Sequence, residues 1–268
     1  MRLAWGGSAR LPREPSSARA REFLSQEPKV LALYESVLEE LPVRAGMRLL
    51  DVGCGAGLFL RLAAQRGADV AGIDADEAFV EVARERVPSA DIVVGDMHAL
   101  PYDDDCFDVV TGFDAFRLAS DPGSALRETG RVARPGAPVV IAGWGRPERC
   151  EAAGCVKALG GLQAPPPAVA LGPFELSEPG AITAFAAQGG LIPRARHEVQ
   201  CVWNYASEDE LLTALGSTCF AVKAMEAAGE ERVTAAILES VAPYRMSGGG
   251  YRLENVFSYL IATTQADR

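Results

Sequence analysis

Histidine is scarce in this sequence, and its cysteines are scattered. His98 and His197 are the only two histidines, and none of the six cysteines forms a Cys-x-x-Cys pair. Zinc sites in proteins are built from closely spaced cysteine and histidine ligands. The sequence therefore predicts no metal site, and the cysteines are expected to be reduced residues of a cytoplasmic protein.

Long apolar runs and an excess of basic charge are also missing. No apolar run approaches the roughly 18 residues that a membrane span needs, and the first residues contain no signal-peptide core. The formal net charge is −10, whereas nucleic-acid-binding proteins usually present a basic face. We therefore expect a cytoplasmic protein that has no membrane span and no nucleic-acid partner.

Apolar strands alternate with helical segments over much of the chain. Strands are predicted at residues 47–52, 68–73, 91–94, 107–112, 138–142, 198–205 and 253–263. Helices are predicted at residues 22–41, 58–66, 76–86, 121–133, 178–188, 207–217 and 218–241. Strands that alternate with helices in this way indicate an α/β fold, in which a doubly wound parallel sheet carries helices on both faces.

The run Leu49-Leu50-Asp51-Val52-Gly53-Cys54-Gly55-Ala56-Gly57 reads as a buried strand that enters a glycine-rich turn and then a helix. Glycines let backbone amides approach a ligand closely, and amides at the start of a helix favour a negative group. The dinucleotide fingerprint Gly-x-Gly-x-x-Gly/Ala fits Gly53 and Gly55, but its third small position falls on Leu58. A nucleotide-like cofactor is expected here, and this turn alone leaves its identity open.

Asp74 ends the second predicted strand. In a doubly wound fold this position faces the cofactor ribose, where a carboxylate accepts hydrogen bonds from two neighbouring hydroxyl groups. An acidic residue at this place is common to more than one class of protein that binds a nucleotide-like cofactor. Asp74 therefore supports such a cofactor without identifying it.

Three further motifs follow the glycine turn in order. They are Gly95-Asp96-Met97, the run Ala99-Leu100-Pro101-Tyr102 that continues to Phe107-Asp108-Val109-Val110, and Arg131-Val132-Ala133-Arg134-Pro135-Gly136-Ala137. With the turn at residues 49–57, they resemble the class I S-adenosylmethionine-dependent methyltransferases. The likeness is to the small-molecule branch typified by the ubiquinone and menaquinone methyltransferases (methyltransferase type 11), and it covers about residues 46–145.

The resemblance implies a Rossmann-like, seven-stranded, mostly parallel sheet whose last strand is antiparallel. It also implies a division of the chain. Residues 1–45 would form an N-terminal arm and helical lid, and residues 46–268 the S-adenosylmethionine-binding domain. Residues 146–177 and 206–250 would be insertions on the substrate side of that domain.

The same resemblance implies that S-adenosylmethionine is the cofactor and assigns residues to it. The glycine turn and the acidic residue before it would hold the aminoacyl end, the end of the second strand the ribose, and the Asp-Met pair the adenine. A residue after the fourth strand would pack beside the sulfur. The implied cofactor-binding residues are Asp51, Gly53, Cys54, Gly55, Gly57, Asp74, Ala75, Asp96, Met97 and Phe113.

Methyl transfer from a sulfonium is an in-line displacement, so the main requirement is to hold a nucleophile about 3 Å from the methyl carbon. A general base helps only where the acceptor is a hydroxyl group or an acidic carbon. Asp114 and His98 are the candidate catalytic residues, with a loop acid and an outward-facing histidine as the alternative interpretations. Arg117 is expected at the surface, with pairing to an acidic substrate as the alternative, and His197 is expected to be a surface or core histidine.

The expected acceptor is a small molecule of apolar or aromatic character. The proline- and glycine-rich residues 146–177 would form one wall of its pocket, and Trp5 with the helix around Tyr34 the other. Nucleic-acid acceptors are disfavoured because Thr111-Gly112-Phe113-Asp114 stands where base-directed enzymes carry an Asn/Asp-Pro-Pro-Tyr/Phe motif. A nicotinamide-dependent oxidoreductase and a non-catalytic cofactor-binding protein remain as alternatives.

Overall fold

A single sheet of seven strands organises the chain in the computed structural model, which describes residues 24–163 and 171–266. The strands are β1 (Arg48–Val52), β2 (Asp69–Asp74), β3 (Asp91–Val94), β4 (Val109–Phe113), β5 (Pro138–Trp144), β6 (Ile192–Tyr205) and β7 (Tyr251–Thr263). Their order is β3-β2-β1-β4-β5-β7-β6, and only β7 runs antiparallel to its neighbours. The predicted Rossmann-like sheet with an antiparallel last strand is confirmed.

Helices flank this sheet and connect its strands. They are α1 (Leu31–Glu40), α2 (Leu58–Gln65), α3 (Glu77–Arg86), α4 (Pro122–Val132), α5 (Ala153–Gly161), α6 (Pro179–Gln188), α7 (Glu208–Gly216), α8 (Cys219–Ala228) and α9 (Glu230–Val241). In the described part of the chain, no single helix is long and apolar enough to cross a membrane. The pair α7–α8, bent by 88°, reaches that length and apolarity only when the two helices are taken together.

The sheet buries apolar side chains on both faces. In β1, Leu49 belongs to the core that includes α1 and α2, whereas its neighbour Leu50 belongs to the core that includes α4 and α6. Successive side chains of a strand point to opposite faces, so a strand covered on both sides is expected to be apolar at most positions. This explains why the central strands are mostly apolar, with the buried Asp51 and Thr111 as exceptions.

Several predicted elements differ from those in the structure, and two of the differences are large. Strand β6 begins at Ile192 rather than at residue 198, because it pairs along its full length with β7 while several of its first residues face solvent. The helix predicted over residues 218–241 is broken into α8 and α9 at Gly229, whose φ of +86° and ψ of 155° no helix can contain.

Two segments that are far apart in sequence form one helical cap, which we define as α5 together with α7, α8 and α9. Helix α5 follows β5, and α7–α9 follow β6; α5 packs against both α8 and α9. Because β5 and β6 run in the same direction, both segments leave the sheet at its C-terminal end, where the parallel strands finish. The glycine turn after β1 lies at the same end.

The segment before β1 is anchored to strands β6 and β7. The ammonium group of Lys29 donates to the carbonyl of Asn204, and the indole Nε1 of Trp203 donates to the carbonyl of Lys29 over 3.1 Å. The hydroxyl groups of Ser36 and Tyr259 lie 3.0 Å apart. The 3₁₀ helix Leu24–Val30 and α1 are thus fixed to β6 and β7. Trp5 lies outside the described residues.

Candidate active site

The glycine turn leaves β1 with its backbone fixed and one side open. The amide of Gly53 donates to the carbonyl of Ile73 over 2.7 Å, and a Cβ placed on Gly53 would lie 2.5 Å from that of Ala115. Gly55 has φ +52°, but an added Cβ there would meet nothing within 4 Å. Glycine is required by packing at the first position, whereas the second faces open space where a ligand can approach the backbone.

Asp74 lies directly beside this turn. Its carboxylate accepts hydrogen bonds from the amide of Gly55 over 2.8 Å and from that of Asp76 over 3.0 Å. Burial raises the pKa of this carboxyl group above its ordinary value, and the backbone hydrogen bonds act in the opposite direction. The structure therefore brings the glycine turn, Asp74 and its exposed neighbour Ala75 together at the ends of β1 and β2.

Asp51 is a buried acidic group beneath the turn. Only 2% of the residue is exposed, and no salt bridge in the described part of the chain reaches it. The hydroxyl of Thr111 on β4 donates to its Oδ1 over 2.7 Å. Burial, assisted by the nearby charge of Asp74, raises the pKa of Asp51 to about 8. A cation placed next to such a carboxyl group strongly favours its ionised form.

Cys54 contacts the turn through both its backbone and its thiol. The residue is 7% exposed and its thiol packs into the sheet core, where burial raises the pKa of the thiol. The Sγ atom lies 3.8 Å from the carbonyl oxygen of Gly55. The amide of Cys54 donates to the carbonyl of Ile73 over 3.1 Å, and its carbonyl accepts from the amide of Gly57 over 3.0 Å. The structure thus uses Cys54 to shape the turn.

An aromatic cluster covers the ends of β1 and β4. Phe113, the last residue of β4, lies with its ring centroid 4.6 Å from that of Tyr34 and 4.5 Å from that of Phe59. Tyr34 comes from α1 and is close enough to Asp51 for the carboxylate to raise the pKa of the phenol, although burial is the larger cause. The N-terminal helix therefore forms one wall of the site.

Asp96 and His98 form a linked pair after β3. The His98 amide donates to Oδ1 of Asp96 over 2.9 Å, and the ring Nδ1 lies 2.6 Å from the same oxygen. These hydrogen bonds lower the pKa of Asp96. The other ring nitrogen, Nε2, accepts from the amide of Asp121 over 3.2 Å. Both nitrogens of His98 are engaged, so its ring is not placed as a free base.

Met97 lies between these two residues and packs partly buried against the core that contains α4 and α6. Its thioether chain therefore faces inward, while the carboxylate of Asp96 is 58% exposed. An apolar surface next to an accessible acceptor suits a flat heteroaromatic ring that carries an amino group.

Asp114 is tied to an arginine that the sequence places at the surface. Arg117 donates from Nε to Oδ1 over 2.5 Å and from Nη2 to Oδ2 over 2.7 Å, and its side chain is only 5% exposed. The expectation of a surface arginine is wrong, because Arg117 lies between this carboxylate and the ring of Phe220. Both oxygens of Asp114 are held by one cation, which disfavours a role as a free base.

The backbone of Asp114 is also unusual. Its φ is +55°, a conformation that non-glycine residues seldom adopt and that asparagine and aspartate tolerate best. The amide is held by a hydrogen bond of 2.7 Å to the carbonyl of Ala142 on β5. This geometry turns the chain sharply after Phe113 and places the Asp114 carboxylate, which is 36% exposed, at the ends of β4 and β5.

Aromatic side chains line the neighbouring end of β5. The Trp144 ring centroid lies 5.4 Å from that of Phe174, 4.8 Å from that of Phe257 and 5.7 Å from that of Trp203. Phe174 comes from the segment before α6 and Phe220 from the cap helix α8. Sequence reasoning did not single out either phenylalanine, because nothing in their local sequence shows that they meet Trp144 or Arg117.

His197 lies apart from these groups. It stacks on Tyr259 of β7 with ring centroids 4.8 Å apart and an angle of 12° between the planes. The pair belongs to the β6–β7 ladder, where the two residues are directly opposite each other. The structure therefore places His197 as a packing residue of the sheet.

Comparison with known proteins agrees with this geometry. Residues 50–141 match the family model described as a methyltransferase domain. A demethylmenaquinone methyltransferase from Renibacterium salmoninarum is 35% identical over 111 residues, which cover 41% of this chain and 47% of that protein. The 27-O-demethylrifamycin SV methyltransferase of Amycolatopsis mediterranei is 38% identical over 122 residues, which cover 43% and 45%. The chain thus matches less than half the length of these relatives.

A solved structure extends the likeness beyond the matched segment. The S-adenosylmethionine-dependent methyltransferase from Aquifex aeolicus superposes with a TM-score of 0.53 at 24% identity, covering 70% of this chain and 94% of that one. At this identity the likeness shows the fold alone. Residues 50–141 thus match a methyltransferase domain, and they lie within a chain that shares the fold of this S-adenosylmethionine-dependent methyltransferase.

Proposed function

We propose that this protein transfers a methyl group from S-adenosylmethionine to a small-molecule acceptor. The observation that supports the proposal is the pair of acidic side chains next to the glycine turn. Asp51 and Asp74 lie beside the turn, and burial raises the pKa of both carboxyl groups. A cationic ligand stabilises the ionised form of these buried carboxyl groups. The pyrophosphate of a nicotinamide dinucleotide would instead place further negative charge next to them.

The residues present fit the cofactor at each end. Asp51 would pair with the ammonium of the aminoacyl end, Asp74 would accept from the ribose hydroxyls, and Asp96 from the adenine amino group. The open backbone at Gly55 leaves space for close approach. When bound, S-adenosylmethionine supplies a methyl group attached to a positively charged sulfur, and the protein contributes position and orientation.

The acceptor is proposed to be an apolar or aromatic metabolite. Phe113, Trp144 and Phe174 supply aromatic surface near the ends of β4 and β5, and such surfaces bind flat apolar ligands well. The exposed part of the Asp114 carboxylate, held by Arg117, offers a fixed acceptor for a hydroxyl or amino group. The named relatives, which act on a menaquinone precursor and a rifamycin, support this class of acceptor.

The division of the chain follows the same proposal. Residues 146–177 and 206–250 contribute α5 and α7–α9, and we infer that the cap they build selects the acceptor. Residues 1–45 are proposed to cover the cofactor, with Tyr34 as a contact. We further propose a cytoplasmic location and no nucleic-acid partner, in keeping with the free cysteines and the net charge of −10.

Calorimetric titration with S-adenosylmethionine, its demethylated product and a reduced nicotinamide dinucleotide tests the cofactor. Micromolar binding of the first two is expected, with a loss of about tenfold or more in Asp74→Ala. Asp69→Ala is the matched control, because Asp69 lies at the opposite, exposed end of the same strand. Binding of the dinucleotide alone would favour the oxidoreductase.

Transfer of a labelled methyl group then separates an enzyme from a binding protein. We expect label to appear in members of a panel of hydroxylated aromatic and polyketide-like compounds. A protein that binds S-adenosylmethionine tightly but labels nothing in the panel or in a broad metabolite extract would favour the non-catalytic alternative.

A further inference from the structure

We propose that His98 is a positioning residue that orients Asp96 toward the adenine amino group. The inference rests on the proposed cofactor and assigns a role to a side chain that the methyl-transfer chemistry does not use. The ring of His98 joins the loop after β3 to Asp121, the residue that precedes α4.

The hydrogen bonds around His98 define the tautomer of its ring. The amide of Asp121 can only donate, so Nε2 must be the nitrogen without a proton. The proton of the neutral ring is then on Nδ1, which donates to Oδ1 of Asp96. The hydroxyl of Ser120, 3.4 Å from Nε2, adds a weaker donor to the same nitrogen.

Asp121 is itself held in place, so the ring has a fixed support. Its Oδ1 accepts from the amide of Ser124 over 3.0 Å and caps the first turn of α4. The chain of contacts therefore runs from a helix end through the His98 ring to the Asp96 carboxylate. A carboxylate that would otherwise rotate freely at an exposed position has one oxygen held twice by His98.

The other oxygen of Asp96 is the part that remains available. Among the described residues no hydrogen bond reaches Oδ2, and more than half of the side chain is exposed. An amino group on a purine ring needs one acceptor in its plane. His98 thus leaves Asp96 with a single oriented acceptor, which is what discrimination for a 6-amino group requires.

Three substitutions separate the two halves of this contact. His98→Ala removes both ring hydrogen bonds and keeps the backbone one. His98→Asn places an amide donor where Nδ1 stands, so the bond to Asp96 is kept and the one to Asp121 is lost. In His98→Gln, the longer side chain can reach the amide of Asp121, and the hydrogen bond to Asp96 is lost. His197→Ala is the control, since it removes a histidine ring from the distant β6–β7 ladder.

Calorimetry uses two ligands: S-adenosylhomocysteine and its analogue with hydrogen in place of the 6-amino group. We expect His98→Ala and His98→Gln to weaken binding of the first by about tenfold, with His98→Asn within about twofold of the unaltered protein. Binding of the analogue, which has no amino group for Asp96 to accept, should change by less than about twofold in every variant.

Other results would overturn the inference. An equal loss with both ligands means that His98 supports the loop and not adenine recognition. Unchanged binding of both ligands in His98→Ala means that Asp96 needs no positioning. If the unaltered protein binds neither ligand, the proposed cofactor itself fails, and that outcome is distinct from the other two.

Discussion

Asp51 is a side chain whose burial opposes folding. A carboxyl group with a raised pKa gives stability that is present below its ordinary pKa of 3.8 and is lost as the pH rises to about 8. Asp51→Asn cannot ionise and keeps the acceptor for Thr111. We therefore expect the Tm of this variant to exceed that of the unaltered protein at pH 8 and to approach it near pH 5.

Thermal unfolding followed by circular dichroism at both pH values measures this difference. Asp69→Asn serves as the control, because that carboxylate is exposed. A Tm difference that is the same at pH 5 and pH 8 would contradict the raised pKa. The more stable Asp51→Asn variant is nevertheless expected to bind S-adenosylmethionine about tenfold more weakly, since it cannot offer a charge to the ammonium.

At the scale of elements, one arginine joins three segments. Arg86, the last residue of α3, donates to Glu27 from Nη1 over 2.5 Å and from Nη2 over 2.8 Å, and also to the carbonyl of Ala56 in the glycine turn over 2.7 Å. The side chains of Arg86 and Glu27 are 15% and 13% exposed. The N-terminal segment is thus connected to the turn that would receive the cofactor.

Removal of one partner of this buried pair should loosen the N-terminal segment. We expect Glu27→Ala to destabilise the protein by about 2 kcal/mol and to speed amide hydrogen exchange over residues 24–40. Glu35→Ala, an exposed change on the adjoining helix, should leave exchange unchanged. Exchange over residues 24–40 that stays as slow as in the unaltered protein would show that the Arg86 contact does not hold the segment.

The break between α8 and α9 depends on the backbone of Gly229. Its φ of +86° and ψ of 155° lie in a region that essentially only glycine occupies. An added Cβ meets no atom within 4 Å, so Gly229→Ala acts through strain, and we expect a loss of about 2 kcal/mol in urea unfolding. Gly248→Ala, which is equally open and has no positive φ, should change stability little; a similar loss there would rule out backbone strain as the cause.

Local patterns predicted the central strands well because each is mostly apolar and either ends at a polar residue or is followed directly by glycine or aspartate. The start of β6 and the break at Gly229 could not be predicted in this way, since one depends on pairing with β7 and the other on packing within the cap. The same holds for the site. Asp51, Asp74 and the helix around Tyr34 could be predicted from the sequence, whereas the contacts of Phe174 and the burial of Arg117 depend on tertiary packing.

At the scale of the whole molecule, the charge of the protein favours a cation. The formal net charge is −10, and S-adenosylmethionine carries one more positive charge than its demethylated product. We expect the affinity for S-adenosylmethionine to fall about threefold between roughly 50 and 500 mM NaCl, and that of the product to fall less. Parallel titrations of the two ligands measure this difference. Equal salt dependence would contradict an electrostatic contribution from Asp51 and Asp74.

The helical cap has a consequence for how acceptor preference can pass between related proteins. Helix α5 and helices α7–α9 are encoded on either side of α6 and β6, yet they share one apolar core. A recombination that transfers only one of them would join mismatched halves and expose apolar surface. Chimeras that exchange residues 146–250 as one block should therefore stay folded, whereas exchange of either half alone should yield aggregation.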